Sequence, residues 1–173
     1  MPAEPGERTP LAPRVLEPRI AYQMHSMLKD VIDAGTGRRA RALRRSDIAG
    51  KTGATNDVRD AWFCGYQKEL VTIAWMGFDD SAPLGGGETG GQSALGLWVQ
   101  FMSKALAGKP EAELPVPPGM VQVRIDPATG AEVGPDFRGA RLEWVLEENQ
   151  ALISGPDPVS PAGAPQSLIE AIY

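Results

Sequence analysis

Asp47-Ile48-Ala49-Gly50-Lys51-Thr52-Gly53-Ala54-Thr55 is the stretch on which the fold turns, a short apolar lead-in followed by a cation, a hydroxyl and a glycine. It reads as a strand. Successive side chains of a strand point to opposite faces, which puts Ile48, Gly50 and Thr52 on one face and Lys51 and Gly53 on the other. Glycines at 50 and 53 weaken a strand and leave its backbone open to close approach, as a ligand-lining strand requires. The alternative is a plain run of small residues ahead of a hairpin. A phosphate loop fits poorly: Arg45 stands where its first glycine belongs, and the stretch leads into the turn signal Thr55-Asn56-Asp57 instead of a helix.

Outward from this strand, length and composition set bounds. At 173 residues the chain holds one domain with a real core and not obviously two. Its formal charge of −5 argues against general affinity for nucleic acid, although Arg38, Arg39, Arg41, Arg44 and Arg45 cluster ahead of the strand as a solvated connector or the rim of an entrance. A single cysteine, Cys64, allows no internal disulfide. No apolar run reaches the length of a membrane span, and Met1 to Pro13 lack the apolar segment of a signal peptide, so neither an export signal nor an anchor is expected.

In chain order, residues 1–17 are rich in proline and charge and read as an irregular lead-in. Pro18 opens a helix in which Ile20, Met24, Met27, Leu28, Val31 and Ile32 form an apolar stripe, expected to be buried against the following sheet, with an end near Gly35. Within it Ser26-Met27-Leu28-Lys29 matches S-x-x-K, a serine-nucleophile pattern. At about 100° per residue, Ser26 and Lys29 fall off the stripe on the wet side, where a serine lacks the dry, fixed neighbour that would take its proton. The match is therefore not read as a nucleophile, and His25 is read as a boundary residue. After the lysine-bearing strand come Asp60–Tyr66 and Leu70–Phe78, strands with apolar residues on both faces and thus expected to be covered on both sides, joined by links short enough to force antiparallel pairing.

Residues 79–91 read as a loop, and Leu95, Leu97, Trp98, Phe101, Met102, Ala105 and Leu106 as one face of a second helix closed by Gly108 and Pro110. Val121–Asp126 alternates cleanly and turns at Pro127-Ala128-Thr129-Gly130 into a weaker partner strand around Ala131-Glu132-Val133, a small hairpin outside the main sheet. Proline and small residues from Ser154 onward predict a disordered tail. The division expected is 1–17 lead-in, 18–110 main domain, 111–153 hairpin extension and 154–173 tail, in the α+β class with an antiparallel sheet flanked by helices.

Five blocks in order, Met27–Ile32, Gly35-Thr36-Gly37-Arg38-Arg39-Ala40, Gly50–Asp57, Asp60–Tyr66 and Trp75–Asp79, together with Pro117–Val121 and Ile125–Gly130, resemble the C-terminal part of the transpeptidase domain of bifunctional class A penicillin-binding proteins. The resemblance implies the serine β-lactamase/penicillin-binding fold and a serine-type D-alanyl-D-alanine transpeptidase acting on peptidoglycan stems and blocked by β-lactams. It implies that Lys51 supplies charge beside the substrate, Thr52 a hydroxyl for its terminal carboxylate, Gly53 bare backbone, the amide of Ala54 one oxyanion-hole donor and Thr55 a further hydroxyl. The family more often has threonine where Ala54 stands, a change that a backbone donor survives. No metal or cofactor is implied. The family's nucleophile and serine-x-asparagine motifs lie upstream of the helix at 18–33, and residues 1–17 hold neither. The chain alone is therefore expected not to acylate, its partner being the N-terminal part of the domain, at the periplasmic face of the inner membrane. From a different class, a non-catalytic envelope module that binds peptide stems or a sister protein through sheet edges is the alternative.

Overall fold

The computed structural model describes residues 13–55, 57–86 and 89–154. The chain divides into two compact units, Met1–Pro118 and Gly119–Tyr173. In the first, helix α1 (Pro18–Asp33) starts with Pro18 at its first position and Glu17 as cap, whose carboxylate accepts from the amides of Arg19 and Ile20. The arginine-rich connector is a 3-10 helix (Arg38–Leu43) pinned by the fully buried Ala40. Strands β1 (Ala49–Ala54), β2 (Asp60–Gln67) and β3 (Leu70–Gly77) form an antiparallel sheet in the order β1-β2-β3, and helix α2 (Ser93–Ala105) packs on one face. The two-residue link Lys68-Glu69 allows only antiparallel neighbours.

The core lies between the sheet and α2. Phe63 meets Trp98 edge-on with ring centroids 4.9 Å apart, and the indole N–H of Trp98 donates to the Thr72 carbonyl at 3.0 Å. Leu95, Trp98, Met102 and Leu106 form the buried stripe of α2, while Leu97 and Phe101, read from sequence as part of the same face, turn outward. Gly50, read as open to a ligand, instead faces this core. A Cβ there would sit 2.8 Å from the Phe63 ring, so close packing requires this glycine.

Two further expectations are corrected. β2 and β3 are covered along their length on one side only, with α1 reaching the other side at Tyr66. Gly53 and Lys51 share the other face with Trp62, Cys64, Ile73 and Trp75, all four exposed, because α2 is the helix that packs on these strands and it takes the opposite face. The α1 stripe is likewise not buried as a whole: Ile32 joins the core, but Ile20, Met24 and Met27 are exposed and His25 is buried instead. His25 Nδ1 lies 3.0 Å from the Tyr66 hydroxyl, and burial, then the Lys29 charge, push its pKa down.

A buried polar knot fixes the start of β1. Arg45 grips both oxygens of Asp47 at 2.8 and 2.7 Å, Gln67 Nε2 donates to Asp47 at 3.0 Å, and the Ala112 amide donates at 2.9 Å. Burial alone would raise the Asp47 pKa. The Arg45, Ala112 and Gln67 bonds outweigh it and bring the carboxyl from 3.8 to about 2.

In the second unit, β4 (Met120–Ile125) pairs antiparallel with β5 (Arg141–Leu146), followed by a 3-10 turn (Glu147–Asn149) and the short helix α3 (Gln150–Ile153). The turn at 127–130 is present, with the Asp126 carboxylate accepting from the Ala128 amide at 2.9 Å. The expected partner strand at 131–133 makes only an isolated bridge, Ile125 to Glu132. Gly134-Pro135 ends that run too soon for a ladder, and β5 takes its place. The expected tail from 155 onward and most of the lead-in lie outside the described residues.

Candidate functional site

β1 is an edge strand of its sheet, and a cleft of about 1050 Å³ opens along it, lined by Gly35, Thr36, Arg38, Arg39, Lys51, Thr52, Gly53, Ala54 and residues 89–92. Strand alternation sends Lys51 and Thr52 to opposite faces, yet at an edge both border the same opening. The register pairs Lys51 with Cys64 and Thr52 with Phe63, so Lys51 stands on the open face and Thr52 on the side of α2. Lys51 is exposed, its ammonium donating to the Thr52 carbonyl at 3.0 Å.

Backbone direction follows from one bond. The Thr55 amide donates inward to the Asp60 carbonyl at 3.2 Å. Donors of successive residues in an antiparallel strand alternate in direction, so the amides of Ala54 and Thr52 point away from β2 toward the free edge. The Lys51 contact with the Thr52 carbonyl agrees with that direction. An extended chain laid along this edge would meet these N–H groups, as in strand addition.

The remaining wall comes from segments distant in sequence. Thr36 Oγ1 lies 2.6 Å from Thr52 Oγ1, tying the Gly35–Gly37 turn to the strand. Arg39 Nη1 donates to the Gln92 carbonyl at 2.5 Å, tying the 3-10 helix to the start of α2. Gly90 lies flat against the backbone of Gly53 and Trp62, with no room for a Cβ.

Of the residues singled out in the sequence, Lys51, Thr52, Gly53 and Ala54 come together in the cleft. Thr55 does not line it. Its hydroxyl accepts from the amides of Arg59 and Asp60 at 2.9 and 3.1 Å and closes the β1–β2 turn. In that turn Val58 holds φ at 51°, a strained setting for a β-branched residue. Ser26 and Lys29 lie on α1 outside the cleft lining, and the Lys29 ammonium is held between both oxygens of Glu113 at 2.9 Å. Sequence reasoning passed over Thr36 and Gly90-Gly91-Gln92 as cleft residues and left Arg38 and Arg39 open between a solvated connector and the rim of an entrance; both line the cleft. The glycines bracketing Thr36 and those at 90–91 mark places of close backbone approach, the one signal available for them. Among the described residues no helix is long and apolar enough to cross a membrane, and no group of three or more metal-ligating side chains occurs.

No protein-family model matches the chain. Among curated proteins it is 50% identical over 143 residues to penicillin-binding protein 1A of Pseudomonas aeruginosa, a match covering 83% of this chain and 17% of that protein. It is 46% identical over 110 residues to penicillin-binding protein 1A of Neisseria gonorrhoeae, covering 64% and 14%, and 41% identical over 153 residues to that of Vibrio cholerae, covering 74% and 18%. The chain thus spans less than a fifth of the length of these relatives. Among solved structures, penicillin-binding protein 1A from Haemophilus influenzae superposes with a TM-score of 0.70 at 37% identity, covering 86% of this chain and 22% of that one. Shared identity, element order and superposition together place the chain in the class A penicillin-binding protein family, of whose transpeptidase domain it represents a part.

Proposed function

We propose that the chain supplies the substrate-binding wall of a serine-type D-alanyl-D-alanine transpeptidase that cross-links peptidoglycan stems at the periplasmic face of the inner membrane and is blocked by β-lactams. The observation that carries this reading is the joint presence of Lys51, Thr52, Gly53 and the outward amide of Ala54 on one free strand edge. Lys51 supplies positive charge and Thr52 a hydroxyl to the carboxylate that ends a stem or a penicillin, both charge-assisted contacts. The Ala54 amide stands ready as one donor to a developing oxyanion, a contact worth roughly 2.7–4 kcal/mol in a transition state. Gly53 keeps the ligand close to the backbone, and Thr55 holds the strand end in place from the turn.

The chain's own S-x-x-K segment does not supply the attacking alcohol. Lys29 is committed to Glu113, and neither Ser26 nor Lys29 reaches the cleft lining. Residues 18–110 in this reading are part of a transpeptidase domain, and the exposed face bearing Trp62, Ile73 and Trp75 is where the N-terminal part of such a domain would pack. Incubation with a fluorescent penicillin followed by intact-mass measurement tests this. No covalent adduct is expected, and an adduct abolished by Ser26→Ala would overturn the reading.

A further inference from the structure

Across the sheet from the cleft lies a second edge of opposite character. Among the described residues no strand pairs with the outer side of β3. The Thr55–Asp60 bond settles which backbone groups lie there. Asp60 faces β1 and directions alternate along a strand, so Ala61, Phe63 and Gly65 turn their groups toward β3, where the register sets them against Met76, Ala74 and Thr72. Val71, Ile73 and Trp75 therefore hold their N–H and C=O groups outward. Their side chains lie on the open face of the sheet, 74, 59 and 43% exposed.

Edges that stay solitary carry charge, proline or a bulge. The edge of β1 has Lys51 and is walled by the segments at 35–39 and 89–92. Leu70–Gly77 has no charged residue and no proline, and its ladder with β2 runs without a bulge. Trp75 is also fixed in advance: its indole N–H donates to Asp60 at 2.9 Å, its ring lies over Gly77, and Trp62 leans on it with ring centroids 6.0 Å apart. Helix α2 extends the apolar surface. Leu97 and Phe101, 45 and 51% exposed, flank Trp98, which bonds to Thr72 of β3, and lie on the side of the helix turned away from Gly96 and its neighbour Arg39.

We propose that the outer edge of β3 is a self-association site, where a second copy of this chain pairs antiparallel through the same strand and joins the two three-stranded sheets into one. A symmetric pair of this kind has a two-fold axis. Only the register centred on Ile73 gives every exposed side chain of the strand a partner, Ile73 against its counterpart and Val71 against Trp75 of the second copy, pairings of the stabilising apolar type. With roughly 150–250 Å² to a large side chain, the five exposed residues offer on the order of 100 Å² apiece, so two copies together reach about the 1,000 Å² that a specific interface needs. The cleft along β1, at the far edge of the sheet, stays open in such a pair.

Sedimentation velocity of the full chain across the micromolar range tests this. A reversible rise in weight-average mass from one chain toward two is expected. Ile73→Lys places a charge on the two-fold axis, and Ile73→Pro removes an N–H that no bond to β2 uses, a position where an edge strand tolerates proline. Both are expected to stay monomeric with an unchanged far-ultraviolet circular dichroism spectrum, while Leu142→Lys, at an exposed residue of β5, still dimerises. The register is read by cross-linking in a Cys64→Ser background. Ile73→Cys is expected to give a disulfide-linked dimer with oxidised glutathione, because directly opposed residues sit about 5.5 Å apart between Cα atoms, and Val71→Cys is not. A monomer at every concentration overturns the proposal and leaves the edge to a strand of another chain, such as the N-terminal part of a transpeptidase domain. Dimers that survive both Ile73 variants, or that cross-link through residue 71 and not 73, overturn it as well.

Discussion

Replacing Asp47 by asparagine removes the acceptor on which three separate segments converge. The carboxylate is fully buried and Arg45 beside it nearly so. Asparagine keeps one acceptor oxygen but turns an NH₂ toward Arg45, Gln67 and the Ala112 amide, which all donate. Breaking a buried pair by removing one partner costs on the order of 3–5 kcal/mol. The pH dependence gives the sharper test. Asp47 drops from 3.8 to about 2 on folding, so on acidification the unfolded chain takes up the proton first. Its contribution is complete above the unfolded value and fades as pH falls from about 5 toward 2, an amount of about 2 kcal/mol. Urea unfolding followed by near-ultraviolet circular dichroism across this window measures it. The unaltered chain is expected to lose about 2 kcal/mol more than Asp47→Asn between those limits. Parallel curves for the two proteins, or equal stability at pH 7, would refute the assignment of the Arg45–Asp47–Gln67 knot as the anchor of β1.

Two other substitutions probe what holds the cleft. Trp98→Ala empties the centre of the core, where the indole is fully buried against Phe63, and should cost about 3–5 kcal/mol in chemical denaturation without altering the fold of the second unit. Gly90→Ala drives a methyl group into the carbonyl oxygens of Gly53 and Trp62, so the loop must lift from β1. It should cost roughly 1–3 kcal/mol of stability, read from the urea midpoint, and should broaden the amide signals of residues 52–54, whereas Gly86→Ala, in open space, should do neither.

What the sequence made legible was local. The periodicity of residues 18–33 and of 95–106, the short link read at 67–69 and the alternation within 47–55 each follow from neighbours in the chain, and the corresponding elements form there with ends shifted by a residue or two. What it concealed depends on partners distant in sequence. The apolar residues on both faces of β2 and β3 suggested double cover, but whether a face is covered depends on which element reaches it, and α2 reaches one. Arg141–Leu146 interleaves charge with Leu142 and Trp144, a pattern that announces a strand only once β4 lies beside it. His25 sits beside the apolar stripe of α1 and is more buried than most of that stripe, because the Tyr66 hydroxyl is there to meet it. The cleft divides in the same way. Lys51, Thr52, Gly53 and Ala54 are consecutive and readable, whereas Thr36, Arg38, Arg39 and Gly90 reach it only through the fold.

The central claim is that the free edge of β1 receives the carboxylate end of a D-alanyl-D-alanine peptide. Backbone amide shifts recorded during titration of the ¹⁵N-labelled chain with such a peptide test it most directly. Saturable shifts centred on Thr52 and Ala54, lost in Lys51→Ala while the shifts of the second unit stay unchanged, are the predicted result. Shifts that leave residues 51–54 untouched, or that persist in Lys51→Ala, would contradict the account.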